Sequence, residues 1–193
     1  MLRKTSLAIL VGLSFSALAS AQEGFRQHDA HVHGQVEFNI AQDGHDLLLE
    51  ITAPGADVVG FEHAPENTEQ ENQLKAAVDK LSQADLMVQI NEAAKCTIEN
   101  VSVTHTLGGE EHDDHEHHDD HKHHDDHGHE HDGHGAFTVE YQYHCDNVAA
   151  LNALETNWFK QFPATQAIQA NVLTDKVQSA LALSPAHNTV SLK

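Results

Sequence analysis

Apolar and polar residues alternate in a regular way where the foldable part of the chain begins. Val36, Phe38 and Ile40 are separated by polar neighbours, Asp43-Gly44 is a strong turn signal, and Leu47, Leu49 and Ile51 resume the alternation. This pattern predicts a hairpin over residues 34–53, ended by Pro54-Gly55. Val58 to Pro65 follows as an apolar connection closed by proline. The spacing then changes from two to about three and a half. Leu74, Ala77, Val78 and Leu81 fall on one helical face opposite Glu, Gln and Lys, which predicts a helix over 66–84.

A strand is expected at 86–90, and two more at 96–106 and 136–145, the last alternating cleanly through Phe137-Thr138-Val139-Glu140-Tyr141. Val148, Leu151, Leu154 and Trp158 make a second helical stripe, so a helix is expected over 147–158. The tail, 167–192, reads as three short strands with turns near Asp175 and Pro185. The expected class is α+β, an antiparallel sheet packed against helices. The element order suggests two strand–strand–helix–strand halves, although the residues themselves do not repeat.

Two segments lie outside this pattern. At the N-terminus Arg3 and Lys4 precede an apolar run from Leu7 to Leu18 and a small-x-small step at Ala19-Ser20-Ala21. The run is too short and wrongly flanked for a membrane span, so residues 1–21 read as an export signal that is removed. Residues 22–193 are then one globular unit, expected in the periplasm, with no membrane insertion. Between the strands at 96–106 and 136–145 sits a tract, Gly108 to Gly135, with 11 His, 11 Asp or Glu and one Lys. It carries almost nothing apolar, so it is expected to be a disordered insertion at a hairpin tip, residues 108–135.

Charge narrows the function. The chain carries −20 with neutral histidine, and loss of Arg3 and Lys4 with the leader takes it to −22. Nucleic acid and anionic membrane would repel it, and cations would be drawn to it. Histidine is the outlier, 19 against 10 Lys plus Arg. Protonating every histidine would bring the formal charge of the whole chain to −1, so charge depends on pH and on what occupies the imidazoles.

The tract supplies His112, His115, His117, His118, His121, His123, His124, His127, His129, His131 and His134. Imidazole is a borderline-soft donor suited to zinc, nickel, copper and cobalt, and the flanking acids can ligate directly or orient the rings. At two to four histidines per ion the tract would hold roughly three to five ions. A second group is His28, His31 and His33. Positions 31 and 33 share a face of extended chain, and a tetrahedral site needs a third ligand from elsewhere. His63 is the first choice, with Glu62 behind it and Asp29, His28 or water as a fourth. His144 and His187 are weaker candidates. His45, beside the Asp43-Gly44 turn, and His105, at the root of the tract, read as ordinary surface histidines.

Cys96 and Cys145 are the two cysteines. In an exported chain they are expected to form a disulfide at the base of the hairpin that carries the tract. One strand register places them opposite each other. The neighbouring register pairs Val103 with Val139 better, and a bulge would reconcile the two.

Catalytic signatures are missing: no His-Glu-x-x-His helix, no Gly-x-Ser-x-Gly elbow and no phosphate-binding glycine loop. A hydrolase built on His31 and His33 would need a general base, for which Glu62 is the local candidate. The chain is therefore not expected to be an enzyme. Ala30-His31-Val32-His33-Gly34, Val59-Gly60-Phe61-Glu62-His63-Ala64, the cysteine pair around the His/Asp tract, and Trp158-Phe159-x-x-Phe162-Pro163 together resemble the ZrgA-type periplasmic zinc-binding proteins. The resemblance covers the whole mature chain. It implies zinc acquisition when zinc is scarce, alongside a high-affinity transporter. With the histidine count of the tract, several zinc ions per chain are expected. The other reading of the residues is a protective buffer for excess copper, nickel or zinc. Expression that rises under zinc starvation supports the first, and expression that rises under metal excess the second.

Overall fold

The computed structural model describes residues 32–108 and 134–193. Residues 1–21, expected to be an export signal, together with Asp29, His28, His31 and the tract histidines from His112 to His131, lie outside the described residues.

The predicted first hairpin is present as β1 (Gln35–Asp43) and β2 (Asp46–Pro54). Their inward residues Val36, Phe38, Ile40, Leu47, Leu49 and Ile51 are all buried, which is why the alternation was so regular. A one-turn helix, α1 (Gly55–Val58), leads into the apolar connection. The predicted helix is α2 (Thr68–Leu81), started by Asn67, whose side chain accepts the Gln70 N–H at 3.0 Å. A short α3 (Ala84–Met87) precedes β3 (Val88–Ile90). Then come β4 (Cys96–His105), β5 (Ala136–Cys145), β6 (Ala153–Thr156), α4 (Trp158–Gln161), β7 (Ala167–Leu173), β8 (Gln178–Leu183) and β9 (Thr189–Ser191).

Two sheets result, one of six strands in the order β4-β5-β2-β1-β7-β8 and one of three in the order β3-β6-β9. Three successive hairpins, β1–β2, β4–β5 and β7–β8, build the large sheet. Each is followed by one strand of the small sheet. The two-halved arrangement suggested by the sequence is therefore not the architecture. The large sheet is also not purely antiparallel, because β1 and β7 run parallel. β7 enters at the same end as β1, where the Gln166 and Ala167 N–H groups both donate to the Gly34 carbonyl at 2.8 and 3.0 Å.

The helix expected over 147–158 is not formed. Val148–Ala150 is a single 3-10 turn, β6 occupies Ala153–Thr156, and helical geometry returns only at Trp158. The asparagines explain this. Asn91 accepts the N–H groups of Asn152 and Ala153 and donates to the Ala150 carbonyl, offering the backbone partners that a helix would otherwise supply. β6 is then paired on both edges, by β3 and β9. Leu151, Leu154 and Trp158 are buried as the stripe implied, but a turn, a strand and a helix start deliver them rather than one helix. Trp158, the chain's one tryptophan, packs edge-on against Phe38 at 5.9 Å and ties the small layer to the large sheet.

The β4–β5 hairpin combines both expected registers. Cys96 to Ile98 pair with Cys145 to Tyr143, and a one-residue shift at Glu99 then sets Val103 against Val139. Cys96 and Cys145 are disulfide-bonded directly across the two strands.

Candidate metal centre

One end of the large sheet gathers three close backbone approaches. Gly34, in front of β1, has φ +81°, a conformation suited to glycine, and its N–H donates to Asp57 Oδ1 at 2.8 Å. Asp57 is buried, and its other oxygen accepts the Thr165 hydroxyl at 2.9 Å. That hydroxyl in turn accepts the Trp158 indole N–H at 3.0 Å. A buried chain of hydrogen bonds thus fastens the residue after His33 to the core. Across from it, Gly135 donates to the Glu62 carbonyl at 2.9 Å, and Gly55 donates to the Gly135 carbonyl at 2.8 Å. A Cβ at Gly135 would stand 2.5 Å from the Glu62 carbonyl oxygen, so the approach requires glycine.

These fastenings bring three side chains together. Glu62 Oε1 lies 2.9 Å from His33 Nε2, and Glu62 Oε2 lies 2.6 Å from His134 Nδ1. The two imidazoles stand edge to face, centroids 6.2 Å apart, on either side of the carboxylate. Donor atoms of all three residues fall within 4.8 Å of one another, the one such group of three among the described residues. Glu62 is only 12% exposed, whereas His33 and His134 are 63% and 58% exposed. Burial pushes the Glu62 carboxyl up, but the hydrogen bonds and charge of His33 and His134 outweigh it and hold the group below its ordinary value.

The donor set fits zinc. Ligands at zinc–nitrogen distances near 2.0 Å around a tetrahedron are about 3.3 Å apart, close to the contacts seen. Glu62 Oε1 is buried, with His33 Nε2 2.9 Å away. A carboxylate oxygen and an imidazole nitrogen at this separation stand near the spacing of two ligands of one cation. Two nitrogens and one oxygen leave a fourth position open toward solvent.

The group that the structure brings together differs from the one read from the sequence. His33 is in the cluster, and His31 and His28 lie outside the described residues. His63 is not brought in: its Nδ1 donates to the Ala64 carbonyl at 2.7 Å, and its ring stacks on Phe61 at 5.2 Å. Its neighbour Glu62 takes the inward place instead, as a direct partner of the imidazoles rather than a support behind His63. His134, read as one more tract histidine, is the second imidazole. The available signal was the repeated step His33-Gly34 and His134-Gly135, each placing a histidine just before a strand. Elsewhere, His105 packs on Phe137 and His187 sits in a bridge with Ser184.

Comparison with curated proteins finds no match. Among the described residues, no helix is long and apolar enough to cross a membrane. The family model described as "ZrgA family zinc uptake protein" matches residues 30–192, which takes in all three residues of the cluster, and the chain belongs to that family.

Proposed function

We propose that this protein is a periplasmic zinc scavenger that binds the ion at His33, Glu62 and His134 and supplies it to a high-affinity uptake system. The observation that carries the reading is the nearly buried Glu62 carboxylate held between two exposed imidazoles. The carboxylate supplies fixed negative charge at the floor of the site. The imidazoles supply borderline-soft donors that can leave one at a time, which suits a cargo ion better than a closed structural site does. His31, two residues before His33, or water fills the fourth position. The His/Asp tract collects further ions and delivers them to His134 at its own end. A carboxylate engaged by two imidazoles is a poor general base, which weighs against the hydrolase reading. The disulfide agrees with an oxidising compartment, and the run at 1–21 supplies the export signal.

The test is calorimetric zinc titration of the mature chain lacking residues 109–133, a deletion that spares His134. The expected result is one tight equivalent, lost when His33 and His134 are replaced by alanine and retained in His63→Ala. Tight binding that survives His33→Ala/His134→Ala but not His63→Ala would overturn this ligand set. Absence of any tight equivalent in the parent would overturn the ordered site itself.

A further inference from the structure

Two tyrosines on the covered face of β5, Tyr141 and Tyr143, end in different surroundings. Tyr141 is fully buried, and its hydroxyl donates to the Leu81 carbonyl at the end of α2. Tyr143 is only 5% exposed, and its hydroxyl, also buried, meets no hydrogen-bond partner among the described residues. A buried phenol without a partner is costly, so the position asks for one from outside the chain. Tyr143 lines a cavity of about 390 Å³ beside α3, β3 and the start of β4, within the range of about 300–1,000 Å³ typical of small-ligand sites. Val88 and Ile90 supply its apolar lining, and Asp85, Gln89 and Glu92 its polar lining. Asp85 and Glu92 are exposed, which sets the acids toward the mouth and Tyr143 toward the floor. Burial pushes the Tyr143 hydroxyl up, and the charge of Asp85 pushes it further, so that carboxylate is felt at the hydroxyl. Neither acid has an ion-pair partner among the described residues.

The lining selects the guest. Two unpaired carboxylates repel an anion, and a neutral guest leaves them uncompensated. A hard metal ion wants more oxygen ligands than these, and Asp85 and Glu92 belong to no close group of three His, Cys, Asp or Glu donors. An alkylammonium carries three donors and no acceptor, which answers two carboxylates and a phenol oxygen, while its methylenes suit Val88 and Ile90. We propose that this cavity binds a primary ammonium on a short alkyl stem, with Asp85 and Glu92 holding the charge and the Tyr143 oxygen accepting from it at the floor. The ammonium belongs to a free diamine or to a lysine side chain of a protein partner. No residue is shared with the metal centre.

The test is methyl NMR of the full mature chain, with the Val88 and Ile90 methyls as reporters and n-butylammonium as the probe. Reading these methyls separates the cavity from general cation binding elsewhere on an acidic chain. The expected result is a saturable shift with n-butylammonium and none with n-butanol or with sodium at equal ionic strength. The midpoint should rise by about tenfold or more in Tyr143→Phe and in Asp85→Asn, the cost of losing a hydrogen bond to a charged group. Tyr143→Phe should not lower the melting temperature, because it removes a group that has no partner in the chain. Putrescine and N-acetyl-lysine methylamide, titrated in turn, separate the two sources. Tighter binding of putrescine marks a free diamine, and tighter binding of the lysine derivative marks a lysine side chain. Equal shifts with n-butanol, or a midpoint unchanged in Tyr143→Phe and Asp85→Asn, would overturn the site. A lowered melting temperature in Tyr143→Phe would do the same, by showing that the hydroxyl serves the fold.

Discussion

The two ends of the large sheet use the same residue types in opposite ways. At one end, two imidazoles face a single carboxylate, and the carboxylate is the most buried of the three. At the other, about 25 Å away along nine-residue strands, the carboxylate of Asp46 is exposed and stands behind the His144 ring at Nδ1. Imidazole spacing differs accordingly, 6.2 Å across Glu62 against 5.5 Å in the bare stack of His45 and His144. What separates the two is backbone. Glu62 is held by Gly135 and Gly55, whose missing side chains let three segments close around it. Asp46 is a strand residue next to a turn, with solvent on its outer side. Whether an acid is enclosed between two rings or left at the surface behind one follows from how closely the main chain can approach.

Glu62→Gln should produce the largest effect. It removes the charge at the floor of the first site, and zinc affinity there should fall by more than about a hundredfold, beyond the 10- to 100-fold that orienting residues cost. Calorimetry on the chain lacking residues 109–133 checks this. A loss of about tenfold or less would show that Glu62 supports the imidazoles without binding the ion itself.

Gly135→Ala attacks the backbone approach itself. The added methyl meets the Glu62 carbonyl oxygen and the Leu107 side chain, each at 2.5 Å, so something must shift. Overpacking of this kind costs about 1–3 kcal/mol, and displacement of Glu62 should weaken zinc binding as well. Thermal unfolding and zinc titration should move together. Gly44→Ala at the other end meets no atom within 4 Å, although its φ of +57° still strains an alanine. It should lower stability without touching the first site's affinity.

Asp57→Asn tests the buried chain from Trp158 to Gly34. One of the two acceptor oxygens becomes a donor, facing either the Gly34 N–H or the Thr165 hydroxyl. A mispaired buried group costs about 1–3 kcal/mol. The emission of Trp158, whose indole N–H ends the chain, should change with it. An unchanged melting temperature would show that the His33 arm is positioned by other contacts.

The smallest effect concerns pH at the second end. The hydrogen bond from Asp46, with help from Glu99 and Asp146, holds His144 above its ordinary value of 6.5. A raised value in the folded state means protonated His144 favours folding. That contribution is fully present below the unfolded value and fades as pH rises through the folded one. Exposure keeps it small. In an NMR titration, Asp46→Asn should lower the His144 midpoint toward 6.5, and the stability difference between variant and parent should vanish at alkaline pH.

Much of the scaffold was legible because local pattern and final environment agree. Alternation in β1 and β2, the stripe of α2 and its Asn67 start, and the cysteine pair with its bulge all follow from neighbours in sequence or from one hairpin. The segment 147–158 was not legible, because apolar residues three and four apart fit a helix and a turn-plus-strand equally well. Asn91, more than fifty residues away, settles the choice.

The sequence by itself determined that this chain should bind metal. A surplus of imidazole and carboxylate over lysine and arginine is a property of composition, and no packing can hide so many donors. It also named His33 and the Glu62-His63 step as the place to look. Only the tertiary structure decided which of those two neighbours turns inward, and that the last histidine of the tract joins His33 around Glu62. Both outcomes rest on hydrogen bonds from Gly34 to Asp57 and from Gly135 to Glu62, which join residues 23 and 73 positions apart. Local periodicity carries no information about a contact at that separation, because it exists only once the sheet has brought the ends of β1, β2 and β5 to the same edge.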